Sequence, residues 1–288
     1  MKIITTVYGK LNLTLDVLGK EGGYHTLSSL CTSVDVCDEI ALSARTDGAI
    51  VLSCPGGDCP PQENNAYRAA KAFTERYPAA QTGVTITVKK GIPVGGGMGG
   101  SSADVVGTLL GMQRLFGVAE SVTPLINALT SDGAFMERGG MGVLSGRGEQ
   151  VRFLPYLPLY FVLIPQQEGV SARECFALCD QTSPAAPTTS RALSALSAGD
   201  CSALALAVGN HLTPAAATLV PAIQAALCAL QQTAPLAASM TGSGSVTFGV
   251  YQTYAEAKQA LQTLKTAYPS AILAQSLTSG IKQTVVEE

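Results

Sequence analysis

The chain has 288 residues, long enough to bury a sizeable core in one large or two medium domains. Hydrophobic residues make up 47% and charged residues 14%, which excludes a disordered chain and suits a globular enzyme. A net charge of -3 with no basic run argues against nucleic acid or an anionic membrane as partner, and no apolar stretch reaches the roughly 18 residues of a membrane span.

The N-terminus lacks a long apolar h-region followed by a cleavage site, so the expected compartment is the cytoplasm. Eight cysteines are scattered without a Cys-x-x-Cys pair, and the two histidines lie far apart. No zinc site is expected, and no cluster of side chains reads as a metal site. Cys54 and Cys59 flank a Pro-Gly-Gly-Asp turn and could be bridged in principle; in a reducing compartment free thiols are expected.

In chain order, residues 2–8 read as a first strand that ends at Gly9. Leu11, Leu13, Leu15 and Val17 then alternate with Lys10, Asn12, Thr14 and Asp16. This predicts a further strand with Lys10 and Asn12 on one polar face. A solvated face of an antiparallel strand reads equally well. Gly19-Lys-Glu-Gly-Gly-Tyr-His25 is a glycine-rich turn presenting Tyr24 and His25; alone, His25 reads as structural. Residues 26–54 predict two or three strands, with turns near Cys37-Asp-Glu39 and Thr46-Asp-Gly48. Asn64 to Tyr77 reads as a helix with Asn64 as its cap.

Val84, Ile86 and Val88 alternate with threonines, a strand that runs into Gly91-Ile-Pro-Val-Gly-Gly-Gly-Met-Gly-Gly-Ser-Ser-Ala-Asp104. Five glycines fall between Gly95 and Gly100. Val105, Val106, Leu109, Leu110, Met112 and Leu115 follow at helical spacing. Absent side chains let backbone N–H groups approach an anion closely, and a helix N-terminus adds partial positive charge and free donors. The stretch is therefore a candidate phosphate cradle. It is no Walker A loop, for no Gly-Lys-Ser/Thr ends it, and its spacing is wrong for a dinucleotide fingerprint.

Farther on, Ser121 to Leu129 reads as a helix. Ser131-Asp-Gly133 reads as a turn, and Gly139 to Glu149 as a glycine-rich hairpin, a site wall only secondarily. Near Leu154-Pro-Tyr-Leu-Pro158 the chain is expected to pass from a first domain, 1–157, into a second, 158–288. Tyr160 to Ile164 predicts a buried strand. Residues 181–189 read as a linker, with helices at about 190–197, 200–208 and 221–232. Met240-Thr-Gly-Ser-Gly-Ser245 alone reads as a hairpin turn. A helix over 254–268 and a strand over 271–277 complete the chain.

Pro93-Val-Gly-Gly-Gly-Met-Gly-Gly-Ser-Ser102 resembles the second motif of the GHMP small-molecule kinases, and Met240-Thr-Gly-Ser-Gly resembles their third. The resemblance covers nearly the whole chain, most strongly 9–37 and 89–116. It implies an α+β fold of two domains: an N-terminal one like domain 2 of ribosomal protein S5, and a ferredoxin-like α/β C-terminal one, with the site between them. It implies ATP and Mg²⁺ as cofactors. Pro93, Gly95, Gly96, Gly97, Gly99, Gly100, Ser101 and Ser102 would hold the ATP phosphates, with Asn64 and Lys90 near the adenine. Asn64 as a plain cap and Lys90 as a solvated strand end stand beside those roles, as does Ser102 as a helix cap. Gly242, Ser243 and Gly244 would bring a second loop to the substrate.

Thr130-Ser-Asp-Gly-Ala-Phe135 resembles the family's Gly-Ser/Ala-Asp-Val-Pro-Phe, which makes Asp132 the implied catalytic base and Lys10 its partner. Lys10-Leu-Asn-Leu-Thr-Leu-Asp followed by Gly-Tyr-His resembles one branch of the family. Its members phosphorylate a cytidine diphosphate-linked methylerythritol, a small-molecule partner. Asn12, Tyr24, His25 and Phe176 would line its pocket, Phe176 reading equally as a helix core residue. A monomer or weak homodimer is expected. Thr130, Ala134, Ala172 and His211 depart from the family pattern, and His211 reads as structural. Another GHMP kinase acting on mevalonate or homoserine, or a catalytically weak nucleotide-binding homologue, are the alternatives.

Overall fold

Strand-forming alternation dominates the first fifty residues, and one strand becomes the hub of the molecule. The structure, a computed structural model, describes residues 1–55, 59–182 and 186–286. The elements are β1 (Lys2–Asn12), β2 (Thr14–Glu21), β3 (Tyr24–Ala44), β4 (Ile50–Ser53), α1 (Asn65–Arg76), β5 (Val84–Lys89), α2 (Gly100–Leu115), α3 (Thr123–Leu129), α4 (Gly133–Arg138), β6 (Met141–Gly146), β7 (Gln150–Leu154) and β8 (Tyr160–Ile164). Then follow α5 (Ala172–Cys179), α6 (Thr189–Ala198), α7 (Cys201–Leu206), β9 (Gly209–Asn210), α8 (Thr213–Leu219), α9 (Ala222–Gln231), β10 (Ala237–Met240), β11 (Thr247–Tyr251), α10 (Tyr254–Leu264), β12 (Ile272–Leu277) and β13 (Ile281–Val286). The content is α+β.

β3 runs unbroken for 21 residues and pairs with β1, β2, β5, β6 and β12. The turn expected at Cys37-Asp-Glu39 does not form. Asp38 points inward, fully buried, and finds its partners on another segment. The turn at Thr46-Asp-Gly48 does form. The break expected at Gly9 is instead a register shift between Tyr8 and Lys10 inside β1, a bulge that re-aims the strand; the break falls at Leu13.

α2 lies against β1 and β3 and is buried along most of its length. Its close approach depends on Gly111, where a Cβ would sit 2.1 Å from Leu42 Cδ1. Phe73, Ile40, Leu42, Ile86, Val106 and Leu109 fill the core between sheet and helices. In the second half, β8 is buried on both faces, which explains its continuous apolar run. Phe161 and Leu163 join the main core, while Val162 and Ile164 face α9 and α10.

Two strands and two helices escape the sequence reading: β9, β13, α8 and α4, the last following directly on the turn expected at Ser131-Asp-Gly133. β13 pairs antiparallel with β1, Lys2 opposite Val286. It therefore completes the sheet of the first half, on the far side of the 157/158 boundary expected from the sequence. β12 bridges the halves by pairing with β8 and, through Ser276 and Leu277, with β3. Buried Asp16 adds a tie, accepting from Thr188 N and Thr189 N at the start of α6. Its carboxyl is shifted down; burial opposes this, but the hydrogen bonds from both threonines outweigh it.

Candidate active site

The glycine stretch is a loop between β5 and α2, and buried charge pins its two ends. Asp38 Oδ1 accepts from Gly91 N at 2.8 Å and Ile92 N at 2.9 Å. Lys90 Nζ donates to Asp38 Oδ2 at 2.6 Å and to Asp104 Oδ1 and Oδ2 at 3.0 and 3.1 Å. One ion triad thus holds the start of the loop to β3 and to the first turn of α2. Burial pushes the Asp104 carboxyl up to about 6, which Lys90 partly offsets and Asp38 reinforces. Burial also disfavours the charge on Lys90, but the two carboxylates win and raise it. Lys90 is therefore not a solvated strand end.

At its apex the loop meets the second glycine loop, between β10 and β11. Gly97 has φ +75, and a Cβ there would lie 2.3 Å from Thr241 O, so only glycine fits. Ser245 N and Val246 N donate to Gly95 O and Gly96 O, both at 3.2 Å. Thr241 Oγ1 accepts from Asn12 N at 3.0 Å and stands 3.2 Å from Asn12 Oδ1 and 3.3 Å from Gly97 O. Asn210 Nδ2 braces the second loop from behind, donating to Met240 O and Gly242 O at 2.8 Å each.

α2 starts at the loop with Gly99, φ +81, in the cap position. Ser102 is not the cap; its hydroxyl bonds to Thr130 Oγ1. The first turn of α2 presents N–H groups that have no acceptor within the helix. Thr130 thus ties the helix to the segment bearing Asp132.

Lys10 and Asn12 sit on the bulged end of β1, facing the loop. Lys10 Nζ donates to Asn12 Oδ1 at 2.5 Å and lies 3.6 Å from Asp132 Oδ2. Asn12 Nδ2 in turn donates to Ser29 Oγ at 2.7 Å and Cys31 Sγ at 3.2 Å. The Lys10 side chain is 7% exposed and that of Asp132 is 23% exposed. The ammonium is thus inside while the carboxylate opens to the cleft. Asp132 immediately precedes α4, and Gly148 of the β6–β7 hairpin packs beside it.

A cleft of about 520 Å³ joins these parts. Lys10, Asn12, Asn64, Lys90, Pro93, Gly95 to Gly97, Gly99 to Ser102, Asp132, Phe176, Gly242 and Ser243 all line it. Asn64 does so while its side chain also caps α1 through Ala66 N at 2.9 Å. Three expected site residues do not line the cleft. Gly244 faces Met240 and Ile223 behind the second loop. His25 stacks behind Phe176, centroids 4.5 Å apart, and its Nε2 is 2.8 Å from Asp180 Oδ1. It lines a second cavity of about 340 Å³ with Lys20, Asp180 and His211. Lys20 and His25 together hold the Asp180 carboxyl below its ordinary value. Tyr24 is exposed, under the Arg147 guanidinium at 3.9 Å.

His211 is buried, accepting from Val17 N through Nδ1 at 3.1 Å, which is a structural position. The sequence reading missed Asp38, Thr241 and Asn210 as supports of the loops, and ranked Arg147 and Gly148 as hairpin before site wall. A carboxylate between the apolar Val36 and Ile40 was the available signal for Asp38. All eight cysteines, Cys54 and Cys59 at the cleft included, are free thiols. Among the described residues no helix is long and apolar enough to cross a membrane.

The family described as "GHMP kinases N terminal domain" matches residues 64–144, and "GHMP kinases C terminal" matches residues 192–270. A 4-diphosphocytidyl-2-C-methyl-D-erythritol kinase of Moorella thermoacetica is 37% identical, over 96% of this chain and 100% of its own. One from Caldanaerobacter subterraneus subsp. tengcongensis is 30% identical, over 98% and 99%. A crystal structure of 4-(cytidine 5'-diphospho)-2C-methyl-D-erythritol kinase superposes with a TM-score of 0.78 at 27% identity, covering 96% of this chain and 98% of that one. A homoserine kinase structure from Cytophaga hutchinsonii shares the fold, with a TM-score of 0.75 at 19% identity over 98% and 97%.

Proposed function

The chain belongs to the GHMP kinase family, an ATP-dependent kinase of two-domain α+β fold, and from that premise we propose that it phosphorylates the 2-hydroxyl of 4-diphosphocytidyl-2-C-methyl-D-erythritol in the non-mevalonate route to isoprenoid precursors. Two findings support the reading. The relative in Moorella thermoacetica carries that activity in its name at 37% identity over nearly the full length. The observation that carries the chemistry is the Lys10–Asp132 pair, set 3.6 Å apart at the mouth of the glycine loop.

Phosphoryl transfer is largely positioning and charge neutralisation. The N–H groups of the glycine loop and the first turn of α2 hold the ATP phosphates. Asp132, beside the ammonium of Lys10, accepts the proton of the attacking hydroxyl. Lys10 offsets charge on the moving phosphoryl group. Asn12 fixes Lys10, and Thr241 fixes Asn12, so the base, the cradle and the second loop form one connected unit. Phe176, backed by His25, offers a ring to the cytosine, with Tyr24 at the rim.

Magnesium prefers oxygen ligands and keeps several waters or phosphate oxygens. Among the described residues no group of three His, Cys, Asp or Glu side chains could hold a metal. An ion carried in on the ATP phosphates would fit the residues present, and Ser102 Oγ, which lines the cleft beside Thr130 Oγ1, would be the ligand from the chain. When bound, it would neutralise phosphate charge.

ADP release with Mg-ATP, with and without the acceptor, tests the reading. Substrate-dependent release is expected, and Asp132→Asn should lower kcat by about 10²- to 10⁴-fold while KM for ATP moves less than about threefold. Unchanged turnover in the variant removes Asp132 as the base. No release from folded wild-type protein removes the acceptor.

A further inference from the structure

Among the described residues three side-chain cations line the cleft: Lys10, Lys90 and Arg147. Lys90 is neutralised by two carboxylates and Lys10 faces Asp132. Arg147 is exposed, and Glu149 Oε2 accepts from its backbone N–H at 2.7 Å, but its guanidinium has no carboxylate partner among the described residues and rests on the ring of Tyr24. A guanidinium left without an anion on a cleft wall is charge held ready for a ligand.

Its place says which part of the ligand. Arg147 sits at the tip of the β6–β7 hairpin, between two neighbours that mark the ends of the proposed acceptor. The adjacent Gly148 packs on Asp132, where a Cβ would lie 3.3 Å from Oδ1. On the other side the guanidinium covers Tyr24 at 3.9 Å. The acceptor is ordered the same way: the 2-hydroxyl, two carbons to C4, the diphosphate, then the cytidine. A hydroxyl at Asp132 and a base at the Tyr24 and Phe176 end leave the diphosphate opposite Arg147.

We infer that Arg147 is a substrate-binding residue that grips the diphosphate of the acceptor with its guanidinium fork; this rests on the acceptor reading above. The planar fork pairs with phosphate oxygens bidentately, and stacking on Tyr24 pre-orients it. The residue thereby selects diphosphate-bearing alcohols over bare ones.

Calorimetric titration of cytidine 5'-diphosphate and of cytidine, with the ATP end filled by a non-hydrolysable ATP analogue, tests this in wild type, Arg147→Met and Arg147→Lys. Arg147→Met is expected to weaken cytidine diphosphate on the order of 10- to 100-fold and cytidine less than about twofold. Arg147→Lys should fall between, since a point charge lacks the fork. KM for the acceptor should rise with the diphosphate loss while KM for ATP stays. Equal losses for both ligands would place the effect on the Tyr24 ring and overturn the assignment, as would no loss for cytidine diphosphate in either variant. A wild type that binds the ATP analogue but neither cytidine ligand overturns the acceptor reading itself.

Discussion

Lys10 and Lys90 both line the cleft, both are largely buried, and they stand at different parts of the same glycine loop. Their partners separate them. Lys90 makes contacts of 2.6 to 3.1 Å with two carboxylates, Asp38 and Asp104. Lys10 has one carboxylate at 3.6 Å and a neutral amide at 2.5 Å. A cation matched by two buried anions has no charge left for a ligand, and its removal strands both anions. A cation with a single, longer ion contact beside an open cleft can still turn toward incoming phosphate. Lys90 thus holds the loop in place, and Lys10 is the cation we propose for the chemistry.

Three substitutions can break this comparison. Lys90→Met has the largest expected effect, a stability loss of roughly 3–5 kcal/mol in denaturant titration at pH 7. If its unfolding free energy matched wild type, the triad would not hold the loop. Lys10→Met should lower kcat by about 10²- to 10³-fold, equivalent to roughly 2.7–4 kcal/mol of transition-state stabilisation. Its unfolding midpoint should move less than that of Lys90→Met. The reverse pattern, a stable inactive Lys90 variant and an unfolded Lys10 variant, would exchange the two roles.

The smallest effect is a pH dependence. Asp104 titrates near 6 in the fold and near 3.9 when unfolded. The folded value is raised, so the protonated form favours the fold. Its contribution is complete below pH ~4 and is lost as pH rises through about 6, on the order of 2–3 kcal/mol. Asp104→Asn should flatten the slope of stability between pH 4 and 6, read by chemical denaturation at several pH values. A slope identical to wild type would mean Asp104 stays ionised throughout.

The sequence made some of this legible. The strand, glycine loop and helix from Val84 to Leu115 each carry a local signal: period-two apolar residues, clustered glycines, then helical spacing. The helix Asn65–Arg76 and the hairpin near Gly146 are equally local. Asp38 is the counterexample. In sequence, Cys37-Asp-Glu39 has turn composition; in the fold it is mid-strand because its partners lie 52 to 54 residues away. Gly9 likewise looked like a strand end, yet the ladder to β3 continues past it through a bulge.

By itself the sequence marked the glycine loop as a candidate phosphate cradle, because clustered glycines between a strand and a helix are a local signal, whereas the α+β fold and the pair Lys10 and Asp132 were read through the family resemblance. Only the tertiary structure decided that Lys90 is bound by two carboxylates, that Thr241 locks the second loop to Asn12, and that β13 returns to pair with β1. It also decided that the Arg147 guanidinium stands between Asp132 and Tyr24 with no carboxylate partner among the described residues. The reason is physical: a buried charge or an unpaired strand edge must be satisfied by whatever the fold brings beside it, and that partner lies beyond any local pattern.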